Sequence, residues 1–353
     1  MKKFRLLIRR MPGLALFSIL LIIRLIFAAF PWVFEAVYFN TVFPFLRSIQ
    51  SLIYPVWIIP GYLVLVILVL GLVVLYFIRR KSFRHFLIRL LNLSFWLMSI
   101  FLLTFGFQYA DPGIAERLEL SNVPQTTDLS KLYYETMEDA LEKRSRIEGL
   151  NDSDNITQID YTIPYDTIHV YVRNILQPAG YKAAAVDQRV REFPYFILRR
   201  LSISGIYNPF TGESNVEAKL PYLMKCFVAA HELAHASGIT GEGEANFVAW
   251  LSLAHSGDPY LEYSAAYFIW RQVAKPLNKK LDPKDLEILA SQIPEELMLD
   301  RKAIYEALHQ EKPIYPELSS RINDSYLKIQ GIDSGVDDYD RFLELYLRYQ
   351  RSI

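Results

Sequence analysis

The sequence predicts a mainly helical α+β protein, in which an N-terminal membrane region precedes a soluble domain with a small sheet. Residues 1–110 contain twelve Lys or Arg and a single acidic residue, Glu35, whereas residues 111–353 contain 26 basic and 37 acidic residues. Long uncharged apolar stretches occur in the first region, and helical periodicity with a few strand-like segments occurs in the second. Because 52% of all residues are hydrophobic, the composition excludes a disordered chain. The single cysteine, Cys226, excludes an internal disulfide framework.

Three apolar segments predict transmembrane helices, at residues 11–30, 57–78 and 90–109. The 22 residues of the second segment carry no charge, which suffices to cross a hydrocarbon core of about 30 Å. The first segment contains Arg24, a charge that the surrounding leucines and isoleucines can offset. It lacks a small-x-small cleavage site, so we expect a retained anchor and not a cleaved signal peptide. We therefore predict a membrane region at residues 1–110, with the lipid bilayer as its partner.

The basic residues predict the orientation of these spans, because the cytoplasmic loops of membrane proteins are enriched in Lys and Arg. Residues 1–10 contain five basic residues and residues 79–89 contain five more, whereas the loop at 31–56 has only Arg47 and Glu35 as charged residues. Both basic clusters are therefore expected in the cytoplasm, and three crossings place residues 111–353 outside it. The apolar residues at 39–54 recur at helical spacing and predict either an amphipathic helix in the membrane interface or a buried loop helix.

Residues 111–353 form the second predicted domain, an extracytoplasmic α+β domain that is rich in helix. A helix is expected at 131–147, after the capping residues of a polar linker. Strand-like composition at 195–200 and 201–207 predicts two strands, and residues 214–217 follow the turn at 208–212 as a short partner strand. Apolar periodicity then predicts helices at 222–237, 242–255, 260–274, 283–292, 295–310 and 337–350.

The segment His231-Glu232-Leu233-Ala234-His235 carries the clearest chemical signal in the chain. Side chains four residues apart share one face of a helix, so both imidazoles can bind one metal ion. Glu232 lies beside them, where a carboxylate can accept a proton from a water that the metal activates. Two imidazoles with a third protein ligand and an open position are typical of catalytic Zn²⁺, so we predict a zinc site here.

A second short segment, at residues 242–246, offers the third metal ligand. The glycines at 238 and 241 allow the chain to turn between two helices. A carboxylate in the first turn of the second helix can return to the metal, while a polar residue one turn later orients a ligand imidazole. Glu242 with Asn246 fits this division at a spacing of four residues, and Glu244 is the competing third ligand.

These two segments resemble the gluzincin zinc peptidases, in which the third ligand is a glutamate and a polar Asp or Asn follows four residues later. The chain is also similar, over nearly its whole length, to an uncharacterised family of bacterial membrane proteins with N-terminal spans and an H-E-x-x-H helix. That similarity includes the segments at 204–216, 326–331 and 335–336. It implies a zincin-like domain, a zinc ion and a location in the bacterial cytoplasmic membrane, but it assigns no substrate. The short separation of His235 from Glu242 differs from most gluzincins, which leaves the third ligand open between Glu242 and Glu244.

The resemblance to zincins also implies an edge strand that holds an extended substrate by backbone pairing. Residues 201–207 are a candidate for this strand, and an ordinary sheet strand is the alternative. Donors that stabilise the oxyanion in such enzymes are usually Tyr, His or Arg. The candidates in this sequence are Tyr207, Tyr326, Tyr339 and Arg341.

Together these features predict a membrane-anchored zinc metallopeptidase, with its N-terminus in the cytoplasm, that hydrolyses a nearby peptide or protein with Glu232 as general base. The alternative is a non-catalytic sensor, scaffold or partner-binding module of the envelope that retains the zincin fold. The presence of Glu232 favours the enzyme, because a structural zinc site needs no base. The chain has no glycine-rich phosphate loop and membrane topology explains its basic residues, so we expect no nucleic-acid partner. The sequence leaves the oligomeric state open.

Overall fold

The computed structural model describes residues 11–53, 61–79, 82–122, 128–193, 197–200, 203–309 and 339–352. The chain divides into two compact units. The first unit comprises Met1–Pro112, Tyr181–Asp187 and Asn208–Glu213. The second unit comprises Gly113–Gly180, Gln188–Tyr207 and Ser214–Ile353.

Helices account for most of the described part of the first unit. They are α1 (Pro12–Ala29), a π-helix (Phe34–Val42) that continues into α2 (Phe43–Ile53), α3 (Gly61–Arg79) and α4 (Phe83–Thr104), with short helical turns at Pro31–Val33, Gly106–Ala110 and Lys182–Ala185. The predicted helix at 39–54 is therefore present. Helix α1 starts with a proline, which suits the first turn because the missing N–H has no partner there in any case.

Two helices of the described residues, α1 and α4, are long and apolar enough to cross a membrane. They correspond to the spans predicted at 11–30 and 90–109, although α4 begins earlier than predicted. The third span, predicted at 57–78, is not found among the described residues. Residues 57–60 and the side chains of residues 62–65 lie outside them. The apolar part of α3 that remains, Val66–Arg79, is too short to count as a span. The described chain thus contains two candidate spans and not three.

Helices α1 and α4 approach each other closely near the start of α1. The N–H of Gly13 donates to Asn92 Oδ1 at 2.9 Å, and a Cβ at position 13 would lie 2.6 Å from the carbonyl oxygen of Asn92. The rings of Phe17 and Phe95 meet on the same side, with centroids 5.7 Å apart. Other large apolar side chains of α1 face outward, and Leu25 is 70% exposed. An exposed apolar surface of this kind is typical of a protein face that lipid or a partner covers.

Helix α2 has polar side chains on its buried face. The guanidinium of Arg47 is enclosed, donating to Gln50 Oε1 at 2.7 Å and to the carbonyl oxygen of Gly212 at 3.3 Å. The exposed large side chains of α2 are Phe45, Ile49 and Leu52. The buried residues of this segment also include Phe39 and Phe43, so its buried face is both polar and apolar. The interface helix and the buried loop helix therefore both stay predictions for residues 39–54.

Helices also dominate the second unit. They are α5 (Leu129–Ser145), α6 (Tyr165–Leu176), α7 (Tyr222–Ser237), α8 (Glu242–Ala254), α9 (Pro259–Lys280), α10 (Pro283–Ser291), α11 (Glu295–Leu308) and α12 (Tyr339–Ser352), with short turns at Ile114–Arg117, Ile156–Gln158 and Ile197–Arg200. The aspartates before α5, α9 and α10 accept hydrogen bonds from first-turn N–H groups, which explains where these helices begin. All the helices predicted in this region are present, and α6 is an addition.

The described residues contain one three-stranded sheet. Its strands are β1 (Val190–Phe193), β2 (Gly205–Asn208) and β3 (Glu213–Glu217), in the order β1-β3-β2. Strand β1 runs parallel to β3, with Val190 opposite Ser214, and β2 lies at the edge. The strand predicted at 195–200 is wrong, because Ile197–Arg200 is a helical turn and residues 194–196 lie outside the described chain. A short apolar run does not distinguish helix from strand.

Helix α7 occupies the core of the second unit. Twelve of its 16 residues are buried, and it packs against α6, α8 and α9. Phe227 stacks on Phe268 of α9 with ring centroids 3.6 Å apart. The ammonium of the buried Lys225 lies 3.0 Å from Glu192 Oε1 on β1. A helix enclosed in this way holds its side chains in fixed rotamers, which a metal or catalytic site requires.

A buried ion pair joins three further helices of the second unit. Arg144 Nε on α5 donates to Asp300 Oδ2 on α11 at 2.9 Å, and both side chains are at most 2% exposed. The hydroxyl of Tyr263 on α9 donates to the same oxygen at 2.6 Å, and the N–H of Ile156 donates to the other oxygen at 2.6 Å. The carboxylate of Asp300 is thus fully hydrogen-bonded, which compensates for its burial.

Candidate metal centre

The candidate metal centre begins with the helical spacing of α7. His231 and His235 lie one turn apart on the same face, with ring centroids separated by 4.6 Å and Nε2 atoms by 3.0 Å. Glu232 follows His231 directly and therefore projects from the adjacent face, where it is 4% exposed. The helix thus brings two imidazoles together and places a buried carboxyl group beside them.

The turn after α7 brings a third side chain to the two histidines. Gly238 ends the helix at φ 114°, a left-handed conformation that favours glycine. Residues 239–241 then lead into α8, whose first residue is Glu242. Its Oε2 lies 3.2 Å from His231 Nε2, and its Oε1 lies 3.6 Å from His235 Nε2. One ligand atom from each of the three side chains lies within 4.8 Å of the other two.

The outer nitrogens of both imidazoles bind protein oxygens. His231 Nδ1 lies 2.9 Å from Asn246 Oδ1, and His235 Nδ1 lies 2.8 Å from the carbonyl oxygen of Ile239. Both oxygens accept hydrogen bonds, so Nδ1 of each neutral ring carries the proton and Nε2 presents a lone pair to the centre. Ligand histidines are commonly oriented by such contacts. Asn246 thus lies where the sequence analysis expects a residue that orients a ligand.

The three side chains are partly open to solvent on one side. The side chains of His231, His235 and Glu242 are 13%, 9% and 25% exposed, respectively. Two imidazole nitrogens and one carboxylate form a donor set that suits Zn²⁺ and leaves a position for another ligand. Within the described part of the chain, no second group of three His, Cys, Asp or Glu side chains comes this close.

Charge coupling between Glu242 and His235 is strong. Burial opposes protonation of His235, but the adjacent carboxylate outweighs it and raises the pKa of this imidazole to about 9. Burial likewise opposes ionisation of Glu242, yet the two imidazoles hold the pKa of its carboxyl far below the usual range. The carboxylate is therefore ionised at neutral pH, as a metal ligand must be.

Strand β2 lies against Glu232. The N–H of Tyr207 donates to the Glu232 carboxylate. A Cβ on Gly205 would lie 2.6 Å from Glu232 Oε1 and 2.4 Å from Val228 Cγ1, so only glycine lets the strand pass this close. Burial raises the pKa of Glu232 to about 7, against the opposing effect of the imidazoles. A carboxyl group with a pKa near neutrality can both accept and return a proton.

Glu244, the competing third ligand, is engaged elsewhere. Its Oε1 accepts a hydrogen bond from the N–H of Ile114 at 3.2 Å. A Cβ on Gly113, whose φ is 101°, would lie 2.5 Å from the same oxygen. Glu244 therefore binds the backbone at the start of the second unit. Of the two glutamates, it is Glu242 that lies beside the histidines.

The candidate oxyanion donors are not brought together at this centre by the described residues. Tyr207 lies on β2 with its side chain buried, and it reaches Glu232 through its backbone N–H. Arg341 lies on α12, where its Nη1 binds Glu344 Oε1 at 2.6 Å. Tyr326 lies outside the described residues, and Tyr339 begins α12 with a side chain that is also outside them.

Two features of the site are missed by sequence reasoning. The carbonyl oxygen of Ile239 holds His235, and no side-chain pattern reports a backbone acceptor. The close approach of β2 at Gly205 has a signal, because an isolated glycine in a strand often marks a place where another element passes close to the backbone.

Comparison with known proteins gives one match. A family model described as a protein of unknown function (DUF3810) matches residues 8–347. The matched range includes both candidate spans and every residue of the metal centre. No curated protein and no solved structure matches the chain.

Proposed function

The chain belongs to the DUF3810 family of unknown function, and we propose that it is a membrane-anchored zinc-dependent metallopeptidase. The observation that carries this proposal is the convergence of His231, His235 and Glu242 next to the buried carboxyl group of Glu232. A purely structural zinc site usually has four protein ligands and needs no base. Three ligands beside a carboxyl group with a pKa near neutrality are more consistent with catalysis of hydrolysis.

The chemistry of the donor set fits Zn²⁺. Each imidazole has its Nδ1 hydrogen bonded to an oxygen, so Nε2 is the nitrogen that would bind the ion once any proton there is displaced, and Glu242 contributes a negative charge. Zn²⁺ bound by these side chains supplies Lewis acidity, which lowers the pKa of water and polarises a carbonyl group.

Glu232 is the general base of the proposed reaction. It takes one proton from the attacking water as the oxygen forms a bond to the scissile carbonyl carbon. It then returns that proton to the amide nitrogen as the carbon–nitrogen bond breaks. The N–H of Tyr207 orients the carboxylate, and burial raises the pKa of Glu232, which helps it to hold the proton between the two transfers. No oxyanion donor is assigned to a side chain.

The proposed topology has three crossings and an extracytoplasmic catalytic domain. Helices α1 and α4 are the two candidate spans of the described chain. The third crossing that this topology requires is proposed from the uncharged sequence at 57–78 alone. Basic residues at 1–10 and 79–89 then lie in the cytoplasm, because arginine and lysine are retained on that side. The site would face peptides or proteins of the cell envelope near the bacterial cytoplasmic membrane.

Extended peptides are the proposed substrate class. Strand β2 is an edge strand of the sheet and lies against the general base, so a peptide that pairs with it would pass beside Glu232. Pairing through backbone groups gives affinity with little dependence on side chains.

The test uses the full-length protein in neutral detergent, as wild type, Glu232→Gln and His231→Ala. Zinc content is measured by elemental analysis, and a mixed peptide library is analysed by mass spectrometry for new termini. We expect about one zinc per chain in the wild type and in Glu232→Gln but not in His231→Ala, because of the two replaced residues only His231 is a proposed ligand. New termini should appear with the wild type alone.

Absence of zinc from folded wild-type protein, even after zinc is added back, would refute the metal centre. Equal zinc in wild type and Glu232→Gln with no cleavage by either would refute the peptidase and leave a zinc-binding module of the envelope. Circular dichroism of each variant provides the control for folding.

A further inference from the structure

A cavity opens between the end of α3 and the start of α4, within the first unit and independent of the metal centre. Arg79 reaches it from the last turn of α3, and His85 and Arg89 reach it from the first two turns of α4. Leu72 and Leu75 of α3 supply its apolar wall. Two arginines from different helices thus line one opening together with a hydrocarbon surface.

Aromatic contacts fix the two helices on either side of the cavity. The rings of Tyr76 on α3 and Phe86 on α4 lie 4.8 Å apart, and Phe83 lies 6.5 Å from Tyr76. Both Tyr76 and Phe86 line the cavity. Ring pairs of this kind add stabilisation beyond burial, so the spacing of the helices at this point is set by packing.

The positive charge at the cavity has no acidic partner along the chain nearby. The sequence has no Asp or Glu between residues 36 and 110, so neither α3 nor α4 carries a carboxylate. Neither Arg79 nor Arg89 forms an ion pair with another described residue. Two guanidinium groups that share an opening without a counter-charge attract an anion from outside the chain.

The start of α4 adds to this potential. Ser82 precedes the helix without capping it, because its hydroxyl lies 2.8 Å from His85 Nδ1. The first N–H groups of α4 therefore have no side-chain acceptor from Ser82. Because the helix has 22 residues, its amino end carries a full helix dipole. The amino end of a long helix favours negative groups, phosphate above all.

We propose that this cavity binds the phosphate group of an anionic phospholipid, with Arg79 and Arg89 as the phosphate ligands. Guanidinium groups match phosphate oxygens in a two-pronged geometry. A free phosphate ion would contact the arginines but not the leucines. A phospholipid would place its phosphate on the arginines and its acyl chains along the leucines. Large apolar side chains near the same ends of these helices are exposed, as at a lipid boundary: Phe77, Ile78 and Phe83.

The experiment is a lipid titration of the full-length protein in neutral detergent, read by native mass spectrometry. The probes are phosphatidylglycerol, phosphatidylcholine and inorganic phosphate. The variants are Arg79→Gln and Arg89→Gln, and the matched control is Arg84→Gln. Arg84 lies on the same helix as Arg89 and carries the same charge, but it does not line the cavity.

We expect the wild type to bind phosphatidylglycerol more tightly than phosphatidylcholine, because the latter carries a compensating positive charge. Loss of one guanidinium–phosphate contact should weaken phosphatidylglycerol binding about tenfold in each cavity variant. The Arg84→Gln control should stay within about twofold, as expected for a screened exposed charge. Arg79→Lys keeps the charge without the planar guanidinium and serves as a second variant if Arg79→Gln does not fold. Its affinity for phosphatidylglycerol should lie between that of the wild type and that expected for Arg79→Gln.

Three results would overturn the proposal. Equal losses in Arg84→Gln and the cavity variants would mean a diffuse attraction by the whole basic segment. Equal affinity for the two lipids would mean that the phosphate charge is not recognised. Displacement of phosphatidylglycerol by an equal concentration of inorganic phosphate would assign the site to a soluble anion.

Discussion

Replacing Asn246 tests whether His231 is a metal ligand oriented by a hydrogen bond. In Asn246→Leu a group of similar volume remains, but the acceptor 2.9 Å from His231 Nδ1 is lost. The position is only 4% exposed, so water does not readily replace the amide oxygen. A buried N–H without a partner costs about 1–3 kcal/mol, which corresponds to about 5- to 150-fold in affinity. Zinc binding should weaken within this range.

Asn246→Asp is the matched variant for the same position. Asp keeps an oxygen acceptor for His231 Nδ1. It also removes the Asn246 Nδ2 group, which is buried and has no partner among the described side chains and backbone. We therefore expect zinc affinity equal to or above that of the wild type.

The assay is competition for zinc against a chromophoric chelator at constant pH, with full-length protein in detergent. Thermal unfolding of the zinc-free variants separates a loss of folding from a loss of affinity. Wild-type affinity in Asn246→Leu would refute the reasoning, because His231 would then need no acceptor. Equal weakening in the Leu and Asp variants would also refute it, since only one of them lacks the acceptor.

Four further predictions concern the same centre. Gly205→Ala should keep its zinc but lose peptide cleavage, because a Cβ at position 205 displaces the carboxyl group of Glu232. Overpacking should also lower the free energy of unfolding of this variant by about 1–3 kcal/mol. Unchanged cleavage would contradict this prediction. Glu242→Gln should lose most of the zinc measured by elemental analysis, whereas Glu244→Gln should keep it. Zinc affinity should rise by up to about tenfold per pH unit from pH 6.5 to about pH 9. In the folded protein Glu242 raises the pKa of His235 to about 9, and zinc must displace this proton to bind. Over the same window the zinc-free protein should lose stability, since this proton favours the folded state below pH 6.5 and is lost as the pH passes 9.

The choice between Glu242 and Glu244 illustrates what the sequence could and could not predict. Two residues apart on a helix, these side chains point in nearly opposite directions, so only one can face the histidines. The sequence predicted that a carboxylate after the glycine turn could return to the metal. Which carboxylate returns depends on the backbone of residues 239–241, whose conformation no residue pattern determines. The structure gives Glu242 the inner position and Glu244 a contact with Ile114.

Elements formed by local interactions were predicted better than those formed by distant ones. The helices from residue 222 onward follow apolar periodicity and capping residues, which act within a few positions. Strand β1 pairs with β3 in parallel, and Val190 lies opposite Ser214, which is 24 residues further along the chain. The residues next to Val190 therefore give no local signal for this pairing. Helix α6 contains β-branched Thr167, Ile168 and Val170, which weaken its local helix signal, and packing against α7 and α8 stabilises it.

The contact of Glu244 with the backbone at Ile114 sets a limit on how the second unit can be separated from the first. The carboxylate lies in the same helical turn as Glu242, and the chain it holds is the first stretch after Pro112. A fragment that begins after residue 114 would lack the N–H that donates to this carboxylate, two positions from a candidate ligand. Any recombinant domain intended to retain the metal centre should therefore start at or before Gly113. In a series of fragments that start a few residues later, loss of bound zinc would report loss of the hydrogen bond between Ile114 and Glu244.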